Sequence, residues 1–361
     1  MQNDFSPPAG AAPAPAVRLP GVALADADTF SGTDVRSEVL GQKKDLRAQR
    51  EDASNEARAL AQGAPERQAL YRRVQSLLSQ EEALEGLLKS QFIPLHGARQ
   101  LLSPRSLFVS PLFRVRSKAI PRERYLEFSI TAATGAGAIR YAGPELRQSD
   151  GLVFLALINM ARDVRVGKSV SFSAEELCRA LQGQYNGPAR QRLRDSIQRL
   201  QQALLKFETF SVQLCQRFDY PSQGRWTVAL DPQIVELFSR VPPVWLDLGR
   251  RLSLPEGLST WLYAFVESQT SLIPMKTEAL RVLCGSESSS RAFENKLRDA
   301  LKHLNEHGVI DEGWSIQKGV LRWRKAQASS AYATPALSLE ALETVPPTPE
   351  SAPSAPSMGA M

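Results

Sequence analysis

The chain has 361 residues, 43% hydrophobic and 23% charged, with a formal net charge of +6 at pH 7. That length allows two ordinary domains plus tails, and the composition requires that part of it fold as a soluble globule. No apolar run approaches the roughly eighteen residues of a membrane span, the N-terminus lacks the basic-then-apolar pattern of a secretory signal, and Cys178, Cys215 and Cys284 form no CxxC pair, so neither a disulfide framework nor a zinc site is expected, and the protein reads as cytoplasmic with inert thiols.

Residues 1–34 are rich in Ala, Pro and Gly with few large apolar groups, and residues 326–361 are similar, a composition expected to be disordered. Residues 35–103 read as a helical N-terminal region broken at Gly63 and Pro65. Its second half places Leu70, Val74, Leu77, Leu84 and Leu88 near a heptad pattern that Glu81 interrupts. Fewer than four heptads favours an amphipathic helix, solvated or docked on the main body, over a coiled coil.

The charge is uneven. Residues 104–325 hold 32 Lys+Arg against 22 Asp+Glu, while residues 1–103 hold 12 against 13 and the tail none against 3. A compact basic segment suits a polyanionic partner, most often nucleic acid.

Within that segment the first domain, residues 104–230, begins with a basic extended stretch, "FRVRSKAIPRE", and a possible hairpin, "LEFSITAATGAGAIRYAG". A helix over 150–162 follows, with Val153, Leu157 and Ala161 on one face. Next come a short strand "SVSF", a helix opened by a Ser173/Glu176 capping box, the turn "QYNGP", and a long helix with Leu193, Ile197, Leu200 and Leu204 inward. Two strands, alternating at Phe210, Val212 and Leu214 and at Trp226, Val228 and Leu230, close the unit.

The second domain, residues 231–325, repeats this order. A Ser253/Glu256 capping box precedes "GLSTWLYAFVESQ", "SLIP" reads as a strand, and "KTEALRVLCG" is a helix ended by Gly285. A long helix keeps Leu297, Leu301 and Leu304 inside, and a strand pair turns at Gly319. "RLRDSIQRLQQAL" and "KLRDALKHLNEHGV" are thus two copies of one helix, the third in each unit. The fold class expected is α+β: two tandem winged helix-turn-helix domains after a helical segment, with disordered termini. The third helix of that motif enters a major groove.

Face arithmetic leaves Asn186, Arg190, Gln191, Arg194, Asp195 and Gln198 outward on the first long helix, and Ser289, Ser290, Arg291, Asn295, Arg298 and Lys302 on the second. Arg, Asn and Gln match the donor and acceptor edges of guanine and adenine. Candidate phosphate contacts are Arg114, Arg116 and Lys118 on the leading arm, Arg217 and Arg225 beside the first wing, and Lys318, Arg322, Arg324 and Lys325 on the second. Arg192–Asp195 and Lys296–Asp299 read as intrahelical ion pairs. No catalytic constellation is visible. The histidines are His96, His303 and His307, with no HExxH, and no GxxxxGK[ST] exists for a nucleotide; His303 and His307 suit a helix end. No enzyme activity, metal or cofactor is expected.

"SPLFRVRSKAIPRE", "AGPELRQSD", "FSAEELCRAL", "ALRVLCGSES" and "HLNEHGVIDEGW", in that order, resemble the TrfA family of plasmid replication initiators over about residues 110–325. The resemblance implies binding to directly repeated origin sites (iterons), opening of an adjacent AT-rich region with exposure to single-stranded DNA, and host DnaA and DnaB helicase as partners. It also implies a sliding-clamp motif, whose place here holds Gln91, Phe92, Ile93, Pro94 and Leu95, with Pro94 and Leu95 departing from the family pattern. It further implies a monomer–dimer balance, with the strands around residues 213–218 as candidate interface. A winged-helix transcription regulator and a DNA-processing enzyme of the relaxase kind are the competing readings; the second lacks its metal and nucleophile set.

Overall fold

The computed structural model describes residues 32–60, 62, 64–94, 100–131 and 138–326. Most of both tails expected to be disordered, Gly63, Leu95, His96 and the turn of the first hairpin lie outside the described residues. Two long helices come first, α1 (Gly32–Ala59), which begins inside the stretch read as tail, and α2 (Pro65–Gln91). Pro65 stands in the first turn of α2, where its missing N–H breaks no helical bond. Val39, Ala53 and Ala57 of α1 are buried, as are Leu77 and Leu84 of α2. Ion pairs Lys43–Glu85 (3.0 Å) and Arg50–Glu81 (3.1 Å) set the two helices antiparallel. Glu81 therefore interrupts the apolar pattern because Arg50 meets it, and the heptad remnant is a seam within one chain.

The body opens with β1 (Gln100–Ser103), α3 (Arg105–Phe108) and β2 (Phe113–Arg114), then the antiparallel hairpin of β3 (Arg124–Thr131) and β4 (Ala138–Pro144). After β5 (Leu146–Arg147) comes α4 (Gln148–Met160). Val153, Leu157 and Ala161 are buried as expected, but so are Phe154, Leu155 and Ile158. A helix apolar all round belongs inside a core, and α4 packs between β1 and the long helix of the first unit.

That unit runs β6 (Ser169–Phe172), α5 (Ala174–Ala180), α6 (Gly187–Gln201), β7 (Leu204–Lys206), β8 (Ser211–Gln213), β9 (Arg217–Asp219) and β10 (Trp226–Ala229). The Ser173/Glu176 capping box forms, with bonds of 3.0 and 2.8 Å. Two expectations need correction. Leu204 is not in the long helix, which ends at Gln201; it starts β7. The stretch 210–214 does not pair with 226–230 either. β8 joins the four-stranded sheet β3-β4-β7-β8, whereas β10 pairs with β9 and β6 in the order β6-β10-β9.

A 3-10 turn (Pro232–Val235) and α7 (Glu236–Ser239) lead to β11 (Val244–Asp247), α8 (Leu248–Ser253) and α9 (Leu258–Ser268). The expected Ser253/Glu256 box is absent: Ser253 Oγ donates to Arg250 O, ending α8, and Thr260 Oγ1 accepts from Gly257 N at 3.1 Å to start α9. Then follow β12 (Met275–Lys276), just beyond the expected "SLIP" strand, α10 (Thr277–Leu283), α11 (Ser290–Glu306), β13 (Ser315–Gln317) and β14 (Val320–Arg322). Lys318 and Gly319 both have positive φ, 50° and 71°, the two-residue turn whose twist suits a hairpin.

The second unit's sheet order is β12-β14-β13, the same as β6-β10-β9 in the first: the leading strand pairs with the last strand of the hairpin. One apolar core runs through both. β1 pairs with β11 in a separate two-stranded sheet, so the 35–103 segment ends against a strand that leads into the second unit. Trp261 Nε1 donates to Ser110 O, and Val115 N to Cys284 O at 2.9 Å. Gly285 (φ 65°) closes this seam: a Cβ there would lie 3.1 Å from Pro111 Cβ and Arg114 Nε.

Candidate nucleic-acid interface

In α11 the apolar stripe Phe293, Leu297, Ala300, Leu301 and Leu304 is buried. Ser289 caps the helix by accepting from Ala292 N at 3.4 Å, and Ser290 Oγ donates to Glu278. Arg291 and Asn295 are exposed on the solvent face, and their side chains have no hydrogen bond or ion pair among the described residues. Further along, Arg298 pairs with Glu294, and Lys302 with Asp299 at 3.7 Å. Lys296 donates to Ser288 Oγ at 2.8 Å and does not pair with Asp299 as expected. Beside α11, Lys318, Arg322 and Arg324 are exposed on or next to the β13–β14 hairpin. Lys325 is not available in that way: its ammonium lies 3.9 Å from Glu267 with both side chains near one-eighth exposed.

The corresponding face of α6 is more occupied. Asn186 Oδ1 caps the helix by accepting from Ala189 N at 2.8 Å. Arg190 donates to Pro221 O and Ser222 O and lies over Trp226; Arg194 stacks on Tyr220, 4.6 Å from its ring centre, and Gln198 donates to the Tyr220 hydroxyl. Asp195 accepts from Gln191 at 2.6 Å rather than from Arg192. The loop between β9 and β10 thus holds three of the four Arg and Gln side chains on this face. Tyr220 was not singled out in the sequence; an exposed aromatic between two short strands was the available signal. Arg217 pairs with Asp219 (2.6 Å) and Arg225 with Glu176 (3.1 Å), both arginines staying more than half exposed.

The leading arm corrects the sequence expectation. Arg114 is 12% and Arg116 9% exposed. Arg114 donates to Gly285 O, to the Tyr125 hydroxyl and to Glu287; Arg116 reaches Glu123, Glu145 and Glu287. These arginines bolt the arm to the second unit through Glu287 instead of facing phosphates. Burial lowers the Arg116 pKa, but its three carboxylate neighbours raise it further, so it stays charged. Lys118 is 75% exposed but pairs with Glu256 at 2.7 Å. Behind the arm, Glu145 and Asp150 are fully buried. Glu145 takes Arg116 and Arg147 at 2.5 Å each, and Asp150 takes Arg122 and Arg199 at 2.7 and 2.8 Å. Sequence reading missed this network because most of its partners lie 28 to 49 positions apart along the chain.

The Gln91 motif is also built in. Phe92 and Ile93 are buried, Gln91 O accepts from Val166 N at 2.9 Å, and Arg36 lies over the Phe92 ring while donating to Ile93 O and Arg162 O. Phe92 and Ile93 thus pack at the point where the helical hairpin meets the body, and Leu95 lies outside the described residues. Cys178, Cys215 and Cys284 are buried thiols, and burial pushes those of Cys215 and Cys284 up to about 12. Among the described residues no His, Cys, Asp or Glu group is arranged to hold a metal, and no helix is long and apolar enough to cross a membrane. His307 caps α11 and its Nδ1 lies 2.8 Å from His303 O.

Known proteins resemble this chain. A curated relative, the plasmid replication initiator protein TrfA of Escherichia coli, is 28% identical over 226 residues, which is 58% of this chain and 58% of that protein. Two crystal structures of domains 2 and 3 of RctB superpose with TM-scores of 0.45 and 0.42 at 16% and 14% identity, covering 62% and 61% of this chain and 98% and 96% of theirs. The family model described as TrfA protein matches residues 86–322. The chain belongs to the TrfA family.

Proposed function

We propose that this protein initiates plasmid replication by binding directly repeated sites at an origin with two winged-helix units, and that it acts by binding and remodelling DNA rather than by chemical catalysis. The observation that carries this reading is the repeated unit itself: the same strand order twice, with Arg291 and Asn295 unpaired on α11 beside an exposed basic hairpin. Free guanidinium and amide groups on one helix face suit base edges, and Lys318, Arg322 and Arg324 suit flanking phosphates. In the first unit Asn186 and Gln191 are exposed and read through the atoms that the helix cap and the bond to Asp195 leave over, while Arg190, Arg194 and Gln198 reach DNA together with the Tyr220 loop.

Binding energy and DNA deformation drive opening of an AT-rich neighbour. DnaA, DnaB helicase and single-stranded DNA are the partners this role requires, in the cytoplasm. Engaging a sliding clamp through Gln91, Phe92 and Leu95 requires the α1–α2 hairpin to undock. β8 and β9 are edge strands, which supports self-association through residues 213–218.

Two non-identical reading helices in one chain make an asymmetric reader, so a monomer favours same-direction repeats spanning roughly two helical turns each. Fluorescence anisotropy with duplexes carrying the site in tandem or inverted arrangement tests this. Equal per-site affinity in tandem arrays is expected. Strict preference for an inverted pair bound by a dimer would favour a transcription regulator.

A further inference from the structure

A cavity of about 470 Å³ opens between the arm, α4, α6 and the turn that joins α5 to α6. Its cations outnumber the acids that serve them. Asp150 is shared by Arg122 and Arg199, which are 26% and 22% exposed. Arg192 is exposed and carries no ion pair among the described residues. Lys118 has Glu256, and the other lining acid, Asp195, accepts from Gln191. Burial lowers the Arg122 pKa; Asp150 raises it, but Arg199 and Arg147 lower it again, as expected where positive charge is in excess.

The same cavity is lined by Leu152, Leu181 and Leu193. A DNA backbone tracks exposed cations on an outer surface. Recessed guanidiniums beside apolar walls instead suit a compact molecule with phosphate at one end and a ring at the other. The volume lies within the several-hundred-Å³ range of small-ligand sites and exceeds what a lone phosphate fills.

We propose that this cavity binds a small phosphorylated ligand of the nucleoside di- or triphosphate class, with Arg122, Arg192, Arg199 and Lys118 on the phosphates and the leucines against the base. The ligand grips the back of α6, whose other face carries Arg190 and Arg194, and so adjusts how α6 meets DNA. That coupling rests on the proposed function; ligand binding does not.

The test uses the full chain with ADP, GDP and inorganic pyrophosphate, read by calorimetry and thermal unfolding, in wild type and Arg192→Glu. Arg192 is exposed and unpaired, so the variant keeps its unliganded Tm. At about tenfold Kd a nucleotide raises wild-type Tm by about 3 °C or more, and Arg192→Glu weakens its binding at least about tenfold. Absence of heat and shift with all three probes at millimolar concentration overturns the site, as does equal nucleotide affinity in the variant. Loss of duplex affinity in Arg192→Glu without nucleotide binding would assign the cavity to the DNA backbone instead. A several-fold change in duplex affinity on saturation with nucleotide supports the coupling; an unchanged affinity removes the coupling and leaves the site.

Discussion

Asp150→Ala removes the group that ties α4, α6 and the arm together. The carboxylate is fully buried and accepts from Arg122 Nη1 (2.7 Å), Arg199 Nη2 (2.8 Å), Ser196 Oγ (2.7 Å) and Arg147 N (2.9 Å). Its loss leaves two recessed guanidiniums without their shared anion and a buried hydroxyl without an acceptor. Removing one partner of a buried ion pair costs about 3–5 kcal/mol. Arg122 and Arg199 retain about a quarter exposure and rehydrate in part, so the lower half of that range, about 3–4 kcal/mol, applies. For a body of this size that is a fall in Tm of about 6–16 °C. Circular dichroism melts and urea titrations at pH 7 measure it, and a double-mutant cycle with Arg199→Ala should return a coupling of at least about 1 kcal/mol. A loss under about 1 kcal/mol with no coupling would refute the reasoning, since it would mean the two arginines are as well solvated without Asp150 as with it.

Other perturbations separate reading from anchoring. Arg291→Ala should weaken binding by about 1–3 kcal/mol at one or two base positions, whereas Arg324→Ala should weaken it across all sequences and flatten the salt dependence; base-by-base competition that gives the same uniform loss for both contradicts the assignment. Arg36→Ala removes the charged donor to Ile93 O and Arg162 O, so exchange of the Val166 amide, bonded to Gln91 O, should accelerate about tenfold or more; unchanged exchange means the hairpin is held elsewhere. Burial raises the Glu145 pKa, but bonds from Arg147 and Arg116 more than offset it, and the net shift is downward. Its stabilisation is therefore complete above the unfolded value of about 4.3 and is lost as pH falls through the lower folded value. Glu145→Gln should flatten that acid limb of the stability curve; an unaltered limb counts against it.

The long helices were legible because their apolar residues recur at one face: Leu193, Ile197 and Leu200 in α6 and Leu297, Leu301 and Leu304 in α11 are all buried. Local chemistry was legible where it closes within a few residues, as in the Ser173/Glu176 box and the Gly319 turn. It misled at Ser253 and Glu256, where the letters fit a capping box but Ser253 ends α8 and Gly257 with Thr260 starts α9. The basic arm was the larger miss. Arg114 and Arg116 are spelled like phosphate contacts, and Glu287, the carboxylate they share, lies about 170 positions away, while Glu123 and Glu145 also pair with Arg116. Phe92 failed for the same reason, since its cover is Arg36 and the body rather than anything adjacent. On α6, composition alone gave no means to see that a loop tyrosine already holds Arg194 and Gln198.

Hydroxyl-radical and permanganate footprinting of the purified protein on the DNA flanking its own gene bears most directly on the initiator reading. Protection of several tandem same-direction repeats is expected, each about two turns long, with permanganate-reactive thymines in a neighbouring AT-rich stretch. A single protected palindrome over a promoter, with no reactive thymines, would contradict it.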